Sequence, residues 1–362
     1  MTETHYHIPI RFQDGVRWIA RIYRLNVCSP PKPIRQHYMR SESATLVFLE
    51  ETSLPTPKVH YWTTETNSPF GVGLILVDDM PGKPIEWRAA TEDQKLYVMD
   101  QLADIFIELA GYPCNCIGAF YDPGTSLINQ CADPLVIDVS EEVIGVYGPF
   151  YSARAYHTTA LQLILDGIDY GEMYETRAEQ AYLITLFLQD LAHYHMPFSR
   201  HDDEEFFIQF PYSRAEHILV DDNFKITGIV NWDMVQAVAP GSAFRAPQIM
   251  LDFQDLFRGD GEPSDAEEAF AHRLELKLRP DIAYHVRRGR LLYQLDVCIH
   301  LLPHDPVLFD LVFQGLRDTI GEHAGAGLDM DEWDEMARAR CADNTRLELM
   351  RRRDQDHRRF GH

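Results

Sequence analysis

The sequence predicts an α+β protein in which a small β-rich part precedes a large, mainly helical part. Three observations carry that expectation. Short strand-like runs and one helix fill roughly residues 1–80. From about residue 83 the apolar spacing turns helical. Within the helical part, residues 206–233 (FFIQFPYSRAEHILVDDNFKITGIVNWD) read instead as strands and tight turns.

That central stretch organises the rest. Phe206 to Phe210 is a β-rich run, and Pro211 to Glu216 is a polar loop. Ile218-Leu219-Val220 is a second strand, Asp221 to Phe224 a turn, and Lys225 to Val230 a third strand ending at Asn231-Trp232-Asp233. A hairpin of this kind folds its ends together, so residues 211–217 can face residues 231–233. Phosphoryl transfer needs such geometry, with a base on one loop and Mg²⁺ ligands on the neighbouring strand end.

The stretch resembles the catalytic segment of the aminoglycoside phosphotransferase family, within the wider choline kinase-like group and especially its fungal branch. That family carries an HxDxxxxN loop, an ILVD-like strand and an IDW(E/D) metal element. Here His217-Ile218-Leu219-Val220-Asp221 stands at the NILVD place and Val230-Asn231-Trp232-Asp233 at the IDWE place. Counting back five from His217 puts Tyr212 where the catalytic aspartate stands, and Asn231 takes the place of the metal aspartate. The resemblance covers roughly residues 6–300. It implies a protein kinase-like fold of two lobes: a small β-rich lobe over 1–80, and a large helical lobe over 81–362 that holds the central hairpin. It also implies ATP and Mg²⁺ as cofactors and a small hydroxyl compound as acceptor.

Composition bounds these expectations. At 362 residues and 45% hydrophobic, the chain can bury a large core. No run of 18 apolar residues predicts a membrane span. The polar start, MTETHYHIPIRFQDG, predicts no signal peptide and a cytoplasmic protein. Six cysteines lack a CxxC pair, and Cys114-x-Cys116 reads as ordinary reduced thiols. The net charge of -23 argues against nucleic acid or an anionic membrane as partner. It fits either an acidic, soluble surface or a cleft that attracts a small cationic ligand. Oligomeric state is not legible.

Taken in order, Tyr6 to Phe12 and Arg17 to Tyr23 are strands around the Gln13-Asp14-Gly15 hairpin signal. By resemblance Arg21 is the basic strand residue that grips the nucleotide phosphates; a solvent-facing strand arginine is the plainer reading. Arginine keeps the charge of the lysine usual there but changes reach and geometry. A helix from Ser41 to about Thr52 places Glu42 where the family pairs a glutamate with that basic residue, or simply as a first-turn acid. Val59 to Trp62 and Gly73 to Val77 are further strands. Asp78-Asp79-Met80-Pro81-Gly82 takes the place of the hinge, where the backbone at Asp79 would meet adenine. The family sets another strand and a phosphate-covering loop ahead of the position of Tyr6. The chain starts later, which predicts a lobe without that roof or a truncated gene model.

In the helical part, Thr91-x-x-Gln94 is a capping box followed by a core stripe from Leu96 to Leu109, stopped by Gly111 and Pro113. Residues 112–160 read as irregular, with Gly148 to Ser152 resembling an insert over the substrate side. A second helix is expected from Glu175 to His195. His201 to Glu205 reads as a solvated acidic loop. Ser264-x-x-Glu267 caps another helix, and Asp281–His300 and Pro306–Thr319 supply more.

The central residues limit the chemistry. A tyrosine hydroxyl at 212 titrates near ~10 and is a donor at neutral pH, so it does not replace an aspartate base. Asn231 offers a neutral oxygen, His217 prefers softer metals, and Asp233 alone keeps a carboxylate at the metal end. Arg214 could hold an anion, or Tyr212 and Arg214 could simply pack in a loop. Three readings follow: a phosphotransferase with weak or altered catalysis, a pseudokinase-like binder of a nucleotide or metabolite, or a pocket turned to metal-free chemistry in secondary metabolism.

Overall fold

The computed structural model describes residues 5–25, 29–132, 147–174, 177–195, 205–211, 215–301 and 306–360. Strands β1 (His5–Arg11) and β2 (Arg17–Tyr23) form a hairpin. The Phe12 amide and the Val16 carbonyl close it at 2.9 Å over the Asp14-Gly15 turn. Helix α1 (Lys32–Leu49) follows, then β3 (Val59–Thr63) and β4 (Leu74–Asp78). These strands make one antiparallel sheet in the order β1-β2-β4-β3, with α1 packed on it. The short strand β5 (Lys83–Pro84) leads into the helical part and pairs antiparallel with the central hairpin. Gly82, just before it, has φ +110, and a Cβ there would fall 2.9 Å from the Val220 carbonyl oxygen. The crossing therefore needs glycine.

Helix α2 (Glu92–Leu109) opens with the expected capping box: the Thr91 hydroxyl accepts from the Gln94 amide, and the Gln94 side chain accepts from the Thr91 amide. Helices α3 (Ala153–Tyr170) and α4 (Ala178–Asp190) pack on each other, and a π-helical turn, Leu191–His195, extends α4. Then come β6 (Phe207–Ile208), β7 (Ile218–Val220), β8 (Ile226–Ile229) and β9 (Ala237–Val238). The chain finishes in helices α5 (Pro240–Ala243), α6 (Phe253–Phe257), α7 (Asp265–Leu276), α8 (Pro280–Leu301), α9 (Pro306–Ile320), α10 (Met330–Arg340) and α11 (Thr345–Phe360). The Ser264–Glu267 capping box of α7 is present as the sequence predicts.

The mixed α+β class is therefore as expected: a small antiparallel sheet with one helix, then a largely helical body. Apolar packing crosses between the two. One core cluster joins Tyr23, Ile75 and Val77 of the sheet and Leu46 and Leu49 of α1 to Val98, Leu102 and Phe106 of α2. A second lies among α3, α4, α8 and α9.

Several boundaries differ from the sequence expectation. α1 starts at Lys32 and not at Ser41. Pro33 sits in its first turn, where a fixed φ suits the helix and no amide is missed, so the proline opens the helix instead of barring it. α3 begins inside the stretch expected to be irregular. Ser152 caps it, with its hydroxyl accepting from the Ala155 amide at 3.2 Å, and left-handed Gly171 closes it. The Phe206–Phe210 run is a strand only at Phe207–Ile208, because it pairs with the two-residue β9. The acidic loop at His201–Glu204 lies outside the described residues.

Candidate functional site

Register decides what the sheet turns toward the helical body. Across the hairpin His7 pairs with Arg21 and His5 with Tyr23, while β4 sets Val77 against Ile19 and Ile75 against Arg21. Cross-strand partners share a face. That face therefore runs from apolar (Ile19, Val77) near the Asp79 crossing to polar (Arg21, His7, His5) farther along.

From α1, Glu42 meets Arg21: Nη1 donates to Glu42 Oε1 in a close contact. The plainer expectation, a solvent-facing arginine at 21, is corrected here. Arg21 is 6% exposed and Glu42 1% exposed. A buried pair differs in kind from a surface one, because removing one partner strands the other in a low dielectric. The pair is also incomplete. Arg21 Nε and Nη2, and Glu42 Oε2, are buried with no hydrogen-bond partner among the described residues. Burial pushes the Glu42 carboxyl up from its ordinary range, Arg21 pulls it back down, and the charge of Asp233 pushes it up again. The close contact with Arg21 taken alone argues for a carboxylate, but full enclosure with a single donor is the larger effect.

The central hairpin forms the opposite wall. Asp221 builds its turn by accepting from the Asn223 and Lys225 amides, each at 2.9 Å. β7 and β8 pair antiparallel, and the Val230 amide donates to the His217 carbonyl at 2.9 Å, so His217 and Asn231 end side by side. Asn231 is left-handed at φ 67, a conformation asparagine and aspartate tolerate better than most residues. Trp232 anchors this end: its ring is 1% exposed and its Nε1 donates to the Ile229 carbonyl at 2.9 Å.

Between the two walls lies a cavity of about 410 Å³, within the usual size of small-molecule sites. Ile19, Leu46, Val77, Met80, Leu219 and Val230 give it an apolar lining, and Arg21, His7, His217, Asn231, Asp78 and Glu216 a polar one. Asp79 also lines it, with its carboxylate 3.3 Å from Arg17 Nε. Of the residues singled out from sequence, Arg21, Asp79, His217 and Asn231 are thus brought to one cavity, and Glu42 stands behind Arg21. Asp233 does not line it; its Oδ2 lies 3.8 Å from His5 Nδ1. Tyr212 and Arg214 lie outside the described residues.

Sequence reasoning missed His5 and His7. The only signal was the hairpin turn, which fixes His7 opposite Arg21 once the register is counted out. Burial first, then the Arg21 cation, lower the His5 ring to about 2 and the more open His7 ring to about 4. His5 is therefore a neutral imidazole beside the Asp233 carboxylate, and their contact is not an ion pair despite its distance. Cys114 and Cys116, by contrast, stay protonated thiols: burial pushes Cys114 to about 12 and raises Cys116.

The donor set is a poor one for Mg²⁺, which demands oxygen ligands, commonly one or two carboxylates besides substrate phosphates. Beside Arg21 the cavity offers an amide and two imidazoles; its lining carboxylates Asp79, Asp78 and Glu216 face Arg17, His60 and His217, and the Asp233 carboxylate is set back against His5. Among the described residues no group of three or more His, Cys, Asp or Glu side chains converges to hold a metal ion, and no helix is long and apolar enough to cross a membrane.

No family model matches the chain. Two curated proteins from two strains of Aspergillus fumigatus, each named a subtelomeric hrmA-associated cluster protein, are 30% identical over 118 residues. The match takes in 31% of this chain, which spans only 22% of their length. Among solved structures, the gentamicin complex of aminoglycoside phosphotransferase APH(2'')-IIa gives a TM-score of 0.48 at 13% identity, covering 87% of this chain and 92% of that one. Macrolide 2'-phosphotransferase MphH from Brachybacterium faecium gives 0.46 at 14%, covering 87% and 89%. An ethanolamine kinase of Plasmodium vivax gives 0.46 at 10%, covering 94% and 80%.

Two outcomes are expected of this geometry. Glu42→Ala, which strands the Arg21 guanidinium, lowers stability by about 3–5 kcal/mol in urea denaturation. Glu42→Gln keeps an acceptor for Nη1 and costs clearly less; equal losses would mean that the pair does not organise the sheet face. The second concerns pH. His5 has its folded value depressed below the ordinary 6.5, so its contribution is fully present above that value and is lost as pH falls below it. The melting temperature should drop between about pH 7 and pH 5, and His5→Phe should flatten that drop. An unchanged slope in the variant would assign the acid sensitivity elsewhere.

Proposed function

We propose that the protein binds a nucleotide in the cavity between the sheet and the central hairpin, and that its phosphoryl transfer is weak or absent. The observation that carries this reading is Arg21. Its guanidinium is buried and lines the cavity, yet two of its nitrogens have no partner among the described residues. A buried unsatisfied donor costs on the order of 1–3 kcal/mol, more when charged, and an anion in the cavity would remove that cost. The apolar lining nearer the crossing suits a planar base, and the graded polarity matches a molecule with an apolar head and an anionic tail.

The residue types argue against efficient transfer. A tyrosine at 212, where the resemblance puts the catalytic aspartate, cannot serve as a base for the acceptor hydroxyl, and Asn231 gives the metal position no charge, so a developing γ-phosphate charge is poorly neutralised. For the acceptor side, the net charge of -23 favours a small cationic compound, and a cytoplasmic setting belongs to the same proposal.

Calorimetric titration with ATP tests the binding. Arg21→Lys preserves the pair with Glu42 but loses donors, and should weaken ATP about tenfold or more, the scale of one hydrogen bond to a charged group. No binding by the unmodified protein, or no effect of the variant, would remove the reading. In a coupled assay the unmodified protein should hydrolyse ATP at background, while Tyr212→Asp with Asn231→Asp should raise Mg²⁺-dependent hydrolysis, since a base alone typically contributes 10²–10⁴-fold. Brisk Mg²⁺-dependent turnover by the unmodified protein, abolished by Asp233→Ala, would show that Asp233 carries the metal and that catalysis is intact.

A further inference from the structure

The structure assigns the polar part of this cavity to the phosphates of a nucleotide that carries no divalent cation. The inference rests on the nucleotide reading above and adds that Arg21 and the imidazole and amide side chains beside it do the work a metal would otherwise do.

Three observations carry it. First, Arg21 lines the cavity, and its Nε and Nη2 are buried and lack partners among the described residues. A guanidinium presents donors in a fixed fork that matches phosphate oxygens. Second, the side chains lining the cavity beside it are His7, His217 and Asn231. An imidazole and a carboxamide can donate to phosphate as well as accept, so they serve an anion directly. Mg²⁺, by contrast, needs hard oxygen ligands in near-ideal octahedral geometry. Third, the carboxylates that line the cavity or stand behind it each lie beside a basic side chain. Asp233 sits against His5 at 3.8 Å and is not on the wall, and Glu42 is engaged by Arg21. Asp79 lies 3.3 Å from Arg17, Asp78 2.6 Å from His60, and Glu216 3.7 Å from His217. A phosphate chain beside Arg21 thus meets a guanidinium, imidazoles and an amide, while the acids of the lining already face basic side chains.

The physical consequence is a reversed dependence on magnesium. A bound Mg²⁺ offsets two negative charges of the phosphates, which weakens their attraction to Arg21 and brings hydration that the imidazole and amide groups beside Arg21 are poorly suited to replace. ATP in excess EDTA should therefore bind the unmodified protein as tightly as ATP in excess Mg²⁺, within about threefold, or more tightly.

The test is calorimetric titration of the whole chain with ATP in both conditions, for the unmodified protein and for Asn231→Asp. Aspartate is nearly the same shape as asparagine and tolerates the left-handed backbone at this position, so the variant should fold. It places a carboxylate beside the phosphates. Affinity in EDTA should then fall about tenfold, the scale of one uncompensated like charge, and Mg²⁺ should restore it. Binding by the unmodified protein only when Mg²⁺ is present would overturn the inference and leave the nucleotide reading standing. Equal binding by Asn231→Asp with and without Mg²⁺ would overturn it as well, since Asn231 would then not face the phosphates. Binding in neither condition would sink the nucleotide reading and this inference with it.

Discussion

The buried contact between Arg21 and Glu42 is the constraint on which the rest depends. It ties the second strand of the sheet to α1 and fixes one guanidinium in the wall of the cavity. Two buried side chains that could each carry charge are costly unless their hydrogen bonds are complete, and these are not. Natural folds keep such a defect where something else completes it. The sheet supplies the geometry through register: the hairpin puts His7 beside Arg21, β4 puts Ile75 on its other side, and the apolar pair Ile19–Val77 comes next along the same face.

The opposite wall is held by backbone geometry and one buried ring. β7, β8 and the Asp221 turn bring His217 and Asn231 together, and Trp232 locks the strand end into the core. None of these interactions requires a carboxylate at 231 or an aspartate at 212. Folding and phosphoryl transfer draw on different atoms of the same segment. The shape of the hairpin wall therefore does not depend on an acid at 231, and the cavity keeps its form with an amide there.

What was legible in the sequence divides along the same line. The hairpin was legible because β-branched residues bracket an Asp-Asp-Asn turn, and helices α2 and α7 because Thr91–Gln94 and Ser264–Glu267 announce their starts. The first turns of α1 were not, since KPIRQHYMR shows no apolar period and Pro33 reads as a breaker until its place in the first turn is known. α3 was hidden behind the Gly- and Pro-rich stretch that leads to its Ser152 cap. In the site, Arg21, Glu42, His217 and Asn231 were found by resemblance and spacing. The depth of the Arg21–Glu42 pair was not, because burial of an acid flanked by Ser41 and Ser43 depends on the sheet packed over α1. His5 and His7 were missed for a related reason. Their importance comes from the residue across the strand, and no local signal in β1 records it.

A crystal structure grown with ATP in excess EDTA tests the central claim most directly. The account predicts phosphate oxygens within hydrogen-bonding reach, about 2.7–3.2 Å, of Arg21 Nε or Nη2, with no cation bridging them to Asn231 or Asp233. A nucleotide seated outside this cavity, or an Arg21 still turned only to Glu42 while the phosphates are held elsewhere, would contradict it.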